Sequence, residues 1–568
     1  MEFEIILIAV VVIAVFLFAK SKWDEKQQLI KIDRKNEKEW GDLLDEDYTR
    51  DKLDCIKEYY LESQGKHDVD DITWNDVDMD TIYMMLNHTY SSMGQDYLYS
   101  MLRKLQIDEA VLLERERLIS FFQKDKTARN KLLTEFRFMG KVKGISLYKY
   151  ISRANDIPKH SPIDSIFMVG LLVVSILLMV LSAFHIVPAI YGVVMFVCTI
   201  INNIIHYFNR KAQVEKYFQV FMYIIRMLNS AKELVKLEIP EIAQYISEMK
   251  EILVRFRGFE RGSYLVFFDS KRGEGSFWDL SLDYVRMIFH VDLIKFDSMV
   301  KKVQERKEDI KKLYEIMGLL DATLAIASFR AFLGEDGYCL PEFVSDTKAT
   351  ISIEAAYHPM IEDPVANSIT ASRPVLITGS NASGKSTFIK TVAISAILAQ
   401  TIHTVPAKGY KGSFFQVASS MALRDDLQGS ESYYIVEIKS LKRILELSEG
   451  EVPVLCFVDE VLRGTNTLER IAASAQILHC FAETDSLCFA ATHDLELTQI
   501  LEKYYDNYHF QEEIIGDQVV FDYQLREGKA FTRNAIKLLG MMGYKKEIIS
   551  CAEDMANKFL ETGIWKQV

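Results

Sequence analysis

Residues 376–387 read Leu-Ile-Thr-Gly-Ser-Asn-Ala-Ser-Gly-Lys-Ser-Thr, and the reading of the whole chain turns on them. Gly379, four residues, then Gly384-Lys385-Ser386 is the Walker A form. An apolar run, Val375-Leu376-Ile377, precedes it and a helix-forming run, 388–400, follows it, so the glycine loop sits between a strand and a helix. That is the context the motif needs. In such a loop the backbone of Gly379, Ser380, Asn381, Ala382, Ser383 and Gly384 and the helix N-terminus present partial positive charge to phosphates. Lys385 reaches the terminal phosphates, Ser386 supplies a hydroxyl ligand for Mg2+, and Thr387 completes the set. By composition the bare pattern arises by chance in about one chain in a hundred of this length, so its neighbours must carry the argument.

The neighbours are informative. Residues 454–458, Val-Leu-Cys-Phe-Val, form a buried-strand run that ends in Asp459-Glu460, the Walker B arrangement. Asp459 is the second candidate for holding the metal, and Glu460 the group that orients an attacking water. Arg463-Gly464-Thr465-Asn466-Thr467 follows directly. About thirty residues on, a second apolar strand ends in Thr492-His493-Asp494, which puts an imidazole beside the terminal phosphate. Lys385, Glu460 and His493 are thus the candidate catalytic residues.

Five motifs in this order across residues 378–497 carry a family resemblance: the Walker A loop, Val405-Pro406-Ala407, Asp425-Asp426-Leu427 leading to Ser432, Asp-Glu-Val-Leu-Arg-Gly-Thr-Asn-Thr, and Ala-Thr-His-Asp-Leu-Glu-Leu. Together they resemble the ATPase domain of MutS-type mismatch-repair proteins. Upstream, residues 86–94 and 112–118 look like the start of that family's helical core, and Met317-Gly-Leu-Leu-Asp321 with His358-Pro359 looks like its re-entry into the ATPase. The resemblance implies an α/β ATPase domain of the P-loop, ABC type, preceded by a mostly α-helical core and lever. It also implies ATP and Mg2+ as cofactors and a homodimer with composite sites, in which Ser432 reaches the nucleotide of the partner subunit. Asn367, in Pro364-Val365-Ala366-Asn367, matches the nucleotide-side loop, with Pro364 where some members have an aromatic residue to stack on the base. The tail from residue 528 to 560 resembles the dimer-locking helices, departing where Thr532 follows Phe531 in place of a glycine.

Outside this domain the 568 residues are 49% hydrophobic, with the excess concentrated in two places. Residues 5–19 are wholly apolar and flanked by Glu2, Glu4, Lys20 and Lys22, without the basic start or small-residue cleavage site of a signal peptide. An uncleaved anchor is expected. Residues 165–209 contain no Asp, Glu, Lys or Arg and divide at 185–188 into two segments of spanning length, a transmembrane helical hairpin. With Lys20, Lys22, Lys159, Arg210 and Lys211 on one side, the positive-inside rule makes the rest cytoplasmic in a multi-pass cell-membrane protein, bacterial in type. The expected order is anchor 1–22, charged spacer 23–70, helical core 71–163, hairpin 164–209, core and lever 210–345, and ATPase 346–568.

A net charge of −13 argues against a broadly basic nucleic-acid surface while leaving room for a local groove, such as Lys250, Arg255, Arg257, Arg261, Lys271 and Arg272. Seven scattered cysteines without Cys-x-x-Cys spacing read as reduced thiols. The family's mismatch reader, an N-terminal domain with a Phe-x-Glu wedge, has no domain-sized counterpart ahead of the helical core. The reading is therefore a membrane-anchored MutS-like ATPase, a dimeric clamp or switch acting on DNA. The alternative is an ATP-switched protein-interaction module at the membrane with an unknown protein partner and no nucleic acid. A half ABC transporter fits poorly, because three spans are too few and Ser430-Glu-Ser432 is not the Leu-Ser-Gly-Gly signature.

Overall fold

The computed structural model describes residues 20–568 apart from 21–22, 24–26, 28, 45, 158–161, 260–286, 345–347, 381–382, 422–432, 463–464, 516–517, 531–535, 537–538, 540–542, 563–564 and 566–568. The anchor at 5–19, Arg261, Lys271 and Arg272 of the basic groove, Asn381, Ala382, residues 425–427 with Ser432, Arg463-Gly464 and the Phe531-Thr532 pair thus lie outside the described residues. The chain forms two units, residues 1–64, 85–100 and 117–332, and residues 65–84, 101–116 and 333–568.

The first unit is helical. Its centre is the meeting of α1 (Ser92–Arg103) with a helix that begins only at Lys307. Between them in the chain come α2 (Pro162–Ala183) and α3 (Ala189–Lys236), and α4 (Lys307–Leu333) is the partner of α1. Asp321 of α4 is fully buried and accepts hydrogen bonds from the Ser91 amide at 2.9 Å, the Ser91 hydroxyl at 2.5 Å and the Tyr90 amide. The approach is close enough to require glycine on both helices. A Cβ on Gly94 would lie 2.6 Å from Asp321 Cγ, and one on Gly318 would lie 2.9 Å from the Met93 carbonyl. The family-like stretches 86–94 and 317–321 are therefore two halves of one junction.

α2 and α3 are long and apolar enough to cross a membrane by length and composition, and so is α4, but their surroundings differ. The apolar window of α4 is 78% buried inside the protein, while those of α2 and α3 are 17% and 11% buried. Phe167, Leu177, Ile190, Val194 and Ile205 are exposed along the latter pair. α3 does not stop at residue 209, as the charge pattern suggests. With no proline in it and Gly192 its one glycine, it runs 48 residues, and its later part is buried in the helical unit, where the Tyr223 hydroxyl accepts from the Ser92 amide at 2.9 Å. Beyond it Pro240, which cannot continue a helix, opens a 3-10 turn Pro240–Ile242 before the helix Ala243–Arg255.

The second unit is α/β. Its main sheet has the order β12-β9-β4-β8-β7-β6, built from β4 (Val375–Thr378), β6 (Gln416–Ser420), β7 (Val454–Asp459), β8 (Ser486–Thr492), β9 (Asp506–His509) and β12 (Arg526–Glu527). All neighbours pair in parallel except β12 with β9. β4, β7 and β8 are buried along nearly their whole length, which is why they read as unbroken apolar runs. A smaller sheet, β1-β5-β2-β3, is made by Glu342–Phe343, Gly409–Gly412, Ile351–Ala356 and Asn367–Ala371, and β10 (Glu512–Ile515) with β11 (Gln518–Phe521) forms a hairpin. Helices α5 (Lys385–Ile402), α6 (Tyr433–Leu447), α7 (Thr467–Glu483) and α8 (Leu495–Ile500) connect the strands. Residues 65–84, read from the sequence as the end of the charged spacer (to 70) and the start of the helical core (from 71), group with this unit. Asp76 explains it, accepting from the Ser419 hydroxyl at 2.6 Å and the Met421 amide at 2.9 Å at the end of β6.

Candidate active site

The parallel order puts the C-terminal ends of β4, β7 and β8 side by side, and the candidate residues follow those three ends. From β4 the chain enters the glycine loop and then α5. Gly379 has φ +149°, and a Cβ there would lie 2.7 Å from the Phe510 carbonyl; Gly384 has φ +104°. Neither position accommodates another residue without strain. Lys385 opens α5, is 5% exposed, and donates from Nζ to the carbonyls of Gly379 and Ser380 at 2.7 Å each. Its ammonium is thereby held within the loop rather than in solvent. The Ser380 hydroxyl donates to Glu512 Oε2 at 2.7 Å, tying the loop to the start of β10.

At the end of β7, Asp459 Oδ2 accepts from the Ser386 hydroxyl at 2.6 Å. Its other oxygen, Oδ1, is buried without a hydrogen-bond partner, as is Ser383 Oγ in the loop. A carboxylate oxygen and a hydroxyl left this way, next to a second hydroxyl on the carboxylate, make the hard-oxygen donor set that suits Mg2+ with phosphate oxygens. Ser386 and Asp459 are the residues that could hold the metal.

Beyond Asp459 the backbone is strained. Glu460 and Leu462 have φ of 56° and 58°, values costly for residues with side chains, of order 1–3 kcal/mol each. The surroundings impose them: the Glu460 amide donates to the Ala491 carbonyl at 2.9 Å, Leu462 N donates to the buried carboxylate of Glu437, and the Ser474 hydroxyl donates to the Val461 carbonyl. The result turns Glu460 into a cavity of about 740 Å³ that Ser380, Lys385, Ser386 and Thr387 also line. His493, after β8, has Nδ1 3.6 Å from Glu460 Oε2, too long for a direct hydrogen bond but in reach of a shared water.

The far side of the cavity is made by His358, residues 361–365, Asn367 and Tyr523. Asn367 uses its amide on backbone, donating to the Tyr523 carbonyl at 2.9 Å and accepting from the Leu525 amide at 2.8 Å. It thus holds Tyr523 at the cavity. Burial, with Lys390 nearby, lowers the His358 imidazole below its ordinary range, so it is neutral at pH 7.

Four residues of this site carry no sequence signal of their own. Tyr523 and Glu512 belong to the hairpin after β9, where no motif points. Glu437 lies on an amphipathic helix as any glutamate would. Arg470 binds Asp494 across 24 residues, with Nη2 to Oδ1 at 2.7 Å and Nε to Oδ2 at 3.0 Å.

Residues 375–560 match the family model for MutS domain V, so the second unit carries a MutS-type domain. The chain is similar to the DNA mismatch repair protein MutS of Natronomonas pharaonis, with 31% identity over 274 residues, covering 46% of this chain and 31% of that protein. It is similar to the protein of the same name from Thermus aquaticus, 30% over 257 residues, 44% of this chain and 31% of the relative. A third relative is MutS protein homolog 4 of Mus musculus, 28% over 295 residues, 48% and 30%. Over residues 375–560 the chain is thus MutS-like. It spans about a third of the length of these curated relatives.

Proposed function

We propose that this chain is an ATP hydrolase of the P-loop, ABC type whose nucleotide cycle drives a homodimeric, DNA-associated switch held at the membrane by the α2–α3 hairpin. The observation that carries the ATPase reading is the Ser386–Asp459 contact, with one carboxylate oxygen left over and Glu460 and His493 on the adjoining strand ends. Bound MgATP would supply a polarised γ-phosphoryl group and a leaving ADP. The chain's own residues do the rest. The loop amides and Lys385 bind and orient the phosphates, Ser386 and Asp459 hold the cation, Glu460 orients the attacking water and accepts its proton, and His493 stands within a water's reach of Glu460. Tyr523, whose ring is partly exposed at the cavity, stacks on the adenine in place of the aromatic residue that Pro364 lacks.

The DNA part of the proposal rests on the similarity of the ATPase-like unit to DNA mismatch repair proteins. Ser432 acts in trans at the partner's nucleotide, so turnover depends on dimerisation. The exposed apolar flanks of α2 and α3 support the membrane part: about 20 residues at 1.5 Å rise match a bilayer core of about 30 Å. The test is fluorescence anisotropy of the full chain in detergent micelles with duplex and branched DNA across a salt series. Binding that weakens with salt and changes between ATP and ADP is expected. Absence of binding at low salt would sink the DNA reading and favour a protein partner.

A further inference from the structure

We infer that Arg470 is a positioning residue, which occupies the carboxylate of Asp494 and so keeps His493 facing Glu460; the inference rests on the ATPase reading above. β7 and β8 are adjacent, with Asp459 paired to Ala491, and the last ladder contact is the Glu460 amide on the Ala491 carbonyl. Beyond Thr492 the sheet no longer determines where His493 points. The imidazole lies between two carboxylates, its Nδ1 3.6 Å from Glu460 Oε2 and its Nε2 3.8 Å from Asp494 Oδ1. Whichever carboxylate captures it decides whether it faces the water site.

Asp494 would be the stronger competitor were it not held. It is the residue before α8, where an aspartate normally turns its carboxylate onto the first helical amides, yet it makes no such cap. Both of its oxygens are taken by Arg470 in a two-pronged contact, with the side chains 14% and 8% exposed. The Asp494 amide donates to the Thr492 hydroxyl at 3.0 Å, which fixes the backbone on either side of His493. Arg470 itself is in the first turn of α7, whose start is fixed by Asn466 capping the Leu468 amide. The planar fork matches a carboxylate in a way that a lysine ammonium does not, so a lysine would restrain Asp494 incompletely.

The experiment measures steady-state ATP hydrolysis by the full chain in detergent micelles, with Glu460→Gln as the control for the site. Arg470→Ala is expected to lower kcat about tenfold with KM for ATP within about twofold, because the imidazole is misdirected while the phosphate loop is untouched. Arg470→Lys should return kcat to within about threefold of the parent. The discriminating variant is the double change Arg470→Ala with Asp494→Ala, which removes the competitor and should regain most of the lost kcat. If Arg470→Ala does not accumulate, Arg470→Gln, which keeps one donor side, is read against the same limits. An Arg470→Ala kcat equal to the parent's overturns the inference. So does a double variant no faster than Arg470→Ala, which is what a purely structural ion pair gives. If Glu460→Gln turns over ATP at the parent rate, the ATPase assignment itself falls, and a parent without turnover overturns both.

Discussion

Replacing Gly94 by alanine separates local helix propensity from packing, because the two predict opposite signs. Gly94 lies inside α1, where alanine is favoured over glycine by about 1 kcal/mol. A propensity argument therefore predicts a more stable protein. The structure predicts the reverse. The new methyl would stand 2.6 Å from Asp321 Cγ and 2.8 Å from its Cβ, and Asp321 is wholly buried with nowhere to retreat. Either α1 shifts from α4 or the carboxylate turns away from the Ser91 amide and hydroxyl and the Tyr90 amide. Overpacking costs about 1–3 kcal/mol, and a buried donor left unmade costs about 1–3 kcal/mol more. The sum, roughly 2–6 kcal/mol, is a large fraction of ordinary domain stability. The assay is thermal unfolding followed by far-UV circular dichroism on the full chain in micelles. Gly94→Ala should melt well below the parent, and combining it with Asp321→Ala should cost less than the sum of the two single changes. A Gly94→Ala protein as stable as the parent, or more so, would refute the packing account of this junction.

Three further outcomes follow from other parts of the molecule. Burial pushes the Asp96 carboxyl up to about 8 from its ordinary 3.8, with the Tyr314 hydroxyl donating to it at 2.6 Å opposing the shift. The folded chain thus binds that proton more tightly than the unfolded one, so the contribution is complete below 3.8 and is lost as pH rises through about 8. Melting temperatures of the parent should fall between pH 6.5 and 9 more than those of Asp96→Asn, and equal slopes would contradict the assignment. Tyr523→Ala should raise KM for ATP about tenfold, one stacking interaction of about 1–1.5 kcal/mol, while Tyr523→Phe should not; an unchanged KM in both would remove Tyr523 from the base site. In membranes washed with alkaline carbonate the full chain should remain in the pellet, and a version with residues 163–208 replaced by a short polar linker should lose most of that attachment. Full release of the parent would count against the spanning hairpin.

Much of the site is legible because its residues follow strand ends in a fixed order. Gly379, Gly384, Lys385, Ser386, Asp459, Glu460 and His493 are each within a few residues of an apolar run, and a parallel sheet turns that one-dimensional order into neighbours at β4, β7 and β8. What escaped was whatever depends on contacts between separated segments. The Arg470–Asp494 contact pairs two charged residues in a chain with 147 of them, and no period singles them out. Tyr523 is held at the cavity by Asn367 across 156 residues. The helical unit shows the same division. The apolar run predicts two helices at 165–209, but α3 continues to Lys236 because nothing in the intervening residues breaks it, whereas hydrophobic periodicity alone would start a new helix there. The Asp321–Ser91 contact spans 230 residues and was visible only as two family-like stretches whose meeting the sequence does not state.

The claim on which the rest depends is that the three strand ends form a hydrolytic site for ATP. Its most direct test compares nucleotide binding and turnover in the full chain and in Glu460→Gln, with Lys385→Ala as a binding-deficient reference. The account predicts that Glu460→Gln binds MgATP like the parent while its turnover falls by about 10²-fold or more, and that Lys385→Ala loses binding. Hydrolysis by Glu460→Gln at the parent rate would contradict it.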